Sequence, residues 1–196
     1  MDQNVWQKWD RIHAEAEWPP PARVLRDFAH LLPARGEALE VACGLGGNAL
    51  LLARHGLAVT AWDISPVAIE RLRRRAVETG AAVTAEVRDV ETGPWPQAAF
   101  DVIVVSRFLS RPLCPRLQAA LKPGGLLYYQ TFIRERADPR RGPSNPAYLL
   151  AENALLRLFP DLIVRVYREE GRCGDLRQGW RDEACLVAQK PKEKAP

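Results

Sequence analysis

The spacing of apolar residues changes along this chain. Val5, Trp6, Trp9, Ile12 and His13 recur at helical intervals. Trp18-Pro19-Pro20-Pro21 breaks that helix. Val24, Leu25, Phe28, Leu31 and Leu32 mark a second helix, which Pro33 and Gly36 end. From residue 37 onward, short apolar runs alternate with amphipathic stretches. Strands are predicted at Ala38–Cys43, Ala58–Trp62, Ala81–Val87, Phe100–Val105, Leu126–Phe132, Leu162–Tyr167 and Ala184–Ala188. Helices are predicted at Asn48–His55, from Ser65-Pro66 to about Thr79, at Pro115–Leu121 and at Tyr148–Phe159. Ser65 is a capping residue with proline at the first helical position, and Gly80 follows the end. Lys122-Pro123-Gly124-Gly125 reads as a turn.

Alternating strands and helices predict an α/β domain with a mostly parallel sheet and helices on both faces. That domain covers residues 37–190. A helical segment at 1–36 precedes it as a lid, and 191–196 form a flexible tail. In such a sheet, ligands sit beyond the carboxyl ends of the strands, where strand order reverses. The residues at strand ends are therefore the candidates for chemistry.

Composition narrows the class. The chain has 196 residues, 47% hydrophobic and 27% charged, which suits one soluble globular domain. The start Met-Asp-Gln-Asn-Val-Trp has neither a basic cluster nor an apolar run, and no stretch approaches the roughly 20 apolar residues of a membrane span. A cytoplasmic protein is expected, with Cys43, Cys114, Cys173 and Cys185 as free thiols. These cysteines lack metal-ligand spacing, so no metal site is expected. The net charge of +4 comes partly from the lysines of the tail. Arg71, Arg73, Arg74 and Arg75 are expected on the outer face of a helix. No aromatics interleave with them, which argues against a nucleic-acid surface.

The first strand runs into Glu40-Val41-Ala42-Cys43-Gly44-Leu45-Gly46-Gly47-Asn48. Glycines let the backbone turn sharply and approach a ligand, and the next helix aims its first amides at the same place. A tight turn without a ligand would use the same glycines. Gly44, Gly46 and Ala49 also satisfy the dinucleotide pattern, which makes NAD binding the rival reading. Glu40 counts against it, because a carboxylate there suits an ammonium group, which an amino-acid ligand has. Asp63, 19 residues after Gly44, ends the second strand and suits the two hydroxyls of a ribose. Asp89 ends the third strand and suits an adenine amino group, with Val90 packing on the ring.

Taken together, these residues resemble the class I S-adenosylmethionine (SAM)-dependent methyltransferases, across about residues 37 to 190. Glu40-Val-Ala-Cys-Gly44-Leu-Gly46 is similar to their first motif, although many members carry Asp at the acidic place and Gly where Ala42 stands. Asp63 and Asp89 match the ribose-binding and adenine-binding acids. Phe100-Asp101-Val102-Ile103 resembles the fourth strand, and Lys122-Pro123-Gly124-Gly125 the turn before the fifth. Cys-Gly-x-Gly-x-Asn, then Ala61-Trp62-Asp63, is most similar to the tellurite-resistance group and its small-molecule relatives. The resemblance implies a single Rossmann-like, seven-stranded sheet with the last strand antiparallel, and SAM as cofactor. It implies a SAM site built from Glu40, Ala42, Gly44, Gly46, Asn48, Asp63, Ile64, Asp89, Val90 and Ser106.

Methyl transfer from a sulfonium needs alignment and exclusion of water, and a dedicated base is optional for a thiolate or another soft anion. The sequence offers no acid/base pair. Arg107 follows the fourth strand, Phe132 and Arg134 close the fifth, Tyr148 follows a polar loop and Arg177 precedes the last strand. With His13 from the lid, these are the acceptor-pocket candidates, each with a purely structural role as its alternative. The expected acceptor is a small molecule, such as a thiol or an oxyanion like tellurite. A monomer or homodimer is expected. A SAM-binding protein without turnover and an NAD-dependent oxidoreductase stand as rivals.

Overall fold

The computed structural model describes residues 3–192; part of the expected tail, 193–196, lies outside them. The helix begun by Ser65-Pro66 is α4 (Pro66–Thr79). Its Ser65 Oγ accepts from the Ala68 N–H at 3.1 Å, and Gly80 closes it in the left-handed conformation, as the sequence predicts. Seven strands form one sheet: β1 (Gly36–Val41), β2 (Leu57–Asp63), β3 (Val83–Val87), β4 (Phe100–Ser106), β5 (Leu121–Phe132), β6 (Ile163–Arg168) and β7 (Glu183–Gln189). Their order is β3-β2-β1-β4-β5-β7-β6. β1 to β5 pair in parallel, and β7 runs antiparallel to both of its neighbours. From β1 the chain winds outward to β3, then crosses back to β4 and winds the other way. Strand order therefore reverses between β1 and β4, which opens a crevice at their carboxyl ends.

Period-two alternation sends neighbouring residues to opposite faces. Ala38, Val102 and Val104 pack with Val24 and Leu25 of α2 (Arg23–Asp27), Ala49 and Leu52 of α3 (Gly47–Arg54), and Ile69 and Leu72 of α4. Leu39, Val41, Ile103 and Val105 pack with Leu117 of α5 (Cys114–Ala120) and Leu155 of α6 (Ala154–Leu158). All these residues are buried. Among the described residues, no helix is long and apolar enough to cross a membrane.

Three predicted elements differ. The helix expected at 148–159 is a 3-10 turn (Pro146–Tyr148), an extended Leu149 and the short α6. Leu150 leaves helical geometry because its N–H donates to Phe132 O at 2.9 Å and its carbonyl accepts from Arg134 N at 2.8 Å. Asn153 then adopts a left-handed conformation that allows only a fresh helix start. The second helix is divided into α2 and a 3-10 turn (Ala29–Leu31), separated at Phe28. Lys122-Pro123-Gly124-Gly125 is an excursion inside β5: Leu121 pairs with Phe100 and Leu126 with Val102.

The N-terminal helix α1 (Gln3–Glu15) lies against α4 across the carboxyl ends of β1 and β2. Asp10 accepts a hydrogen bond from Ser65 Oγ, and the Arg71 guanidinium donates to the carbonyl of His13. Arg71 also stacks over Trp18, 5.4 Å from the ring centre, and Arg73 donates to Ala85 O at 2.9 Å. Arg75 pairs with Glu78 at 3.2 Å, so three of the four arginines expected on an outer face are bound to the protein.

Candidate active site

Glu40 is the residue before the last on β1 and is 2% exposed. The N-cap of α3 is Gly46, which has no side chain to bond the first amides. Glu40 caps it from the neighbouring strand: its carboxylate accepts from Ala49 N at 2.7 Å and from Asn48 Nδ2 at 2.8 Å. A negative group beneath a helix N-terminus is favourable. Even so, burial pushes the Glu40 carboxyl up to about 8, against the pull of those two hydrogen bonds.

Between Glu40 and α3 the backbone makes its sharp turn, with φ of +52° at Ala42, +52° at Gly44 and +76° at Gly46. A side chain on Gly46 would stand 2.4 Å from Leu72 Cδ1, so the turn sits directly on α4. The turn is fixed from β2. Asp63, 6% exposed, accepts from Gly44 N at 2.7 Å and from Ser65 N at 2.9 Å. Each carboxylate oxygen keeps lone-pair capacity for a further donor. His13 closes over the turn, its Cε1 3.1 Å from where a Gly44 Cβ would stand. Burial lowers the His13 pKa, helped by Arg71 and opposed by Asp63 and Asp10.

Asn48 joins three parts of the site. Its Nδ2 donates to Glu40 and, at 3.0 Å, to Ser106 Oγ at the end of β4; its Oδ1 accepts from Ala22 N at 2.7 Å. Gln130 of β5 does the same one strand pair further on. Its Oε1 accepts from Val24 N at 2.8 Å, and its Nε2 donates to Glu183 at the start of β7. Two buried side-chain amides thus hold the first N–H groups of α2, and with them the chain leading to α1. Glu183 accepts in turn from Arg107 Nε at 3.2 Å.

Beyond β4, β5 and β7 lies a cavity of about 590 Å³, lined among others by Arg107, Gln130, Arg141, Trp180, Asp182 and Glu183. The crevice between β1 and β4 adjoins it, with Asn48 and Ser106 on the border.

A methyltransferase-domain family profile matches residues 38–125, from β1 into β5. The chain is 33% identical over 123 residues to the ubiquinone biosynthesis O-methyltransferase of Xanthomonas axonopodis pv. citri, covering 60% of this chain and 52% of that one. It is 32% identical over 168 residues to the enzyme of the same name from Azotobacter vinelandii, covering 78% and 66%. TehB from Haemophilus influenzae superposes with a TM-score of 0.67 at 20% identity, over 85% of this chain and 61% of that one. The chain belongs to the class I SAM-dependent methyltransferases. It spans about half the length of the Xanthomonas enzyme and of similar curated relatives.

Within this family frame, Glu40, Ala42, Gly44, Gly46, Asn48, Asp63 and Ser106 converge on the crevice. Ile64 and Asp89 are half-buried, and Val90 is buried beside Trp62 and Leu109. The left-handed φ at Ala42 accounts for the glycine that many members carry there. On the acceptor side the candidates separate. Arg107 and Arg177 line the cavity; Phe132, Arg134, Tyr148 and His13 are not in its lining. Phe132 lies beneath Gly142, and Tyr148 is 54% exposed. Gln130, Arg141, Trp180, Asp182 and Glu183 were not singled out by the sequence. The available signal was a buried polar residue at a strand end: Gln130 interrupts an apolar run, and Asp182-Glu183 immediately precedes another. Cys43, in the turn itself, is buried and its thiol is pushed well up, which fits packing rather than reactivity.

The Glu40 carboxyl gives a pH prediction. Its pKa rises from 4.5 to about 8 on folding, so between those values the folded chain holds a proton that the unfolded chain has released. Stability then falls as pH rises through that window, by roughly 2–4 kcal/mol from this group. Glu40→Gln imitates the protonated acid and should remove most of the slope. Urea midpoints at pH 5.5 and 8 would show it; equal slopes in both proteins would refute the assignment.

Proposed function

We propose that the chain binds SAM along the ends of β1, β2 and β3 and transfers its methyl group to a small molecule in the cavity beyond β4, β5 and β7. The observation that carries this reading is the left-handed turn at Ala42–Gly46, gripped from below by Glu40 and from the side by Asp63, next to a separate polar cavity. The donor set fits the cofactor. Asp63 offers acceptors for a ribose diol and Asp89 for an adenine amino group, with Val90 and Ile64 as apolar walls. The turn lets a methionine chain approach the backbone. Glu40 places a buried carboxyl with spare acceptor capacity beneath that chain, and Asn48 and Ser106 fix the border toward the acceptor.

Bound there, SAM supplies an electrophilic methyl on a sulfonium. The protein's work is alignment and exclusion of water. In this reading, residues 1–36 form the lid: α1 lies over Gly44, with His13 on the turn, and Asn48 and Gln130 anchor its base. The arginines of the cavity support an anionic or soft acceptor, a thiolate or an oxyanion such as tellurite among them. The ubiquinone biosynthesis O-methyltransferases among the relatives support an oxygen acceptor instead. Release of S-adenosylhomocysteine in the presence of tellurite, simple thiols and catechols separates these acceptors. Turnover on tRNA or protein alone would overturn the small-molecule reading.

A further inference from the structure

The cavity is lined by six arginines and three carboxylates, and its arginines are not equivalent. Arg177 is spent on Asp175, two residues away, with its side chain 90% exposed. Arg107 and Arg141 are built differently. Each is more than half exposed, at 58% and 55%, yet each is anchored on a carboxylate that is nearly inaccessible: Glu183 at 8% and Asp182 at 3%. Arg107 uses only Nε for this contact, and Arg141 only one terminal nitrogen. Their remaining guanidinium N–H groups have no protein partner among the described residues. Guanidinium groups held from behind, with free donors left over, are pre-organised for an anion.

The backbone agrees. Arg107 and Asp182 both have positive φ, +54° and +67°, although neither is glycine. Such conformations cost energy and persist where the surroundings over-determine them, as at binding sites. Here they fall on one arginine of the pair and on the anchor of the other. Glu183 is fixed further by Gln130, and Asp182 also accepts from Asp138 N at 2.9 Å.

Size then narrows the ligand. A four- or five-atom oxyanion fills no more than the space of a few waters, about 100 Å³. The cavity of about 590 Å³ is of the size that encloses an organic ligand, and Trp180 and Leu176 give it apolar wall. Resting on the methyltransferase reading above, we propose that the acceptor is an organic molecule with a carboxylate or phosphate group, bound by Arg107 and Arg141 and positioned through Glu183 and Asp182.

The test uses the full chain with S-adenosylhomocysteine present, titrated with 3,4-dihydroxybenzoate, phenyl phosphate and the neutral 3,4-dihydroxybenzamide. Saturable binding of at least one anion, at least about tenfold tighter than the benzamide, is expected. The two anions distinguish carboxylate from phosphate. Arg107→Gln and Arg141→Gln should each weaken the anion at least about tenfold and leave the benzamide and S-adenosylhomocysteine unchanged. Arg107→Lys should restore less than half of the loss in binding energy, because a point charge lacks the fork. Arg165→Gln, on β6 outside the lining and bonded to Gln189, is the control and should bind as the parent does. No saturable anion binding, equal binding of the benzamide, or variants that bind the anion normally would each overturn the proposal. Loss of S-adenosylhomocysteine binding in the parent, with anion binding retained, would instead overturn the methyltransferase reading and leave the anion site standing.

Discussion

Asp63→Ala should weaken SAM binding by at least about a hundredfold. The Asp63 carboxylate has two tasks in this account. It holds the turn, through Gly44 N at 2.7 Å and Ser65 N at 2.9 Å, and it offers acceptors to the ribose hydroxyls. Hydrogen bonds to a charged group contribute about 1.5–3 kcal/mol each, so losing the ribose contacts alone reaches the hundredfold level. Asp63→Asn separates the two tasks. It keeps an acceptor for only one of the two backbone N–H groups, so the protein should stay folded with its melting temperature lowered by roughly 2–12 °C, while SAM binding still falls at least about tenfold. Normal SAM binding by a folded Asp63→Ala protein would remove Asp63 from the site.

The second large effect concerns stability. Asn48→Leu should cost about 3–5 kcal/mol and lower the melting temperature by roughly 6–15 °C. The buried Asn48 amide serves Glu40, Ser106 and Ala22 at once. Removing it leaves a buried carboxyl with one donor fewer and a backbone N–H without an acceptor, and unsatisfied buried groups cost more than the bonds they replace. Because Ala22 leads into α2, trypsin cleavage after Arg23 or Arg26 should also quicken. A shift below about 3 °C would mean that the neighbouring groups find other partners.

The elements that sequence made legible are those whose local chemistry agrees with the fold. Ser65-Pro66 and Gly80 bracket α4 because cap, proline and glycine each favour the observed backbone. Glu40, Asp63, Asp89 and Ser106 stand at or near strand ends, so the alternation of strands and helices was enough to gather them. The 148–159 segment was illegible for a different reason. Its apolar spacing is helical, but Leu150 is taken by the backbone of Phe132 and Arg134, a tertiary contact that no local pattern encodes. The acceptor side shows the same limit more strongly. Arg107 meets Glu183 only because β7 inserts antiparallel beside β5, placing residues 76 apart in one ion pair. Charge spacing read along the chain pairs Arg177 with Asp175 and says nothing of Arg107, Arg141 and their buried anchors.

On the proposed function, the crevice between β1 and β4 takes SAM. Calorimetric titration of the purified chain with SAM, S-adenosylhomocysteine and NAD tests it most directly. Saturable binding of SAM and of its demethylated product is expected, and none of NAD. Binding of NAD alone, or of none of the three, would contradict it.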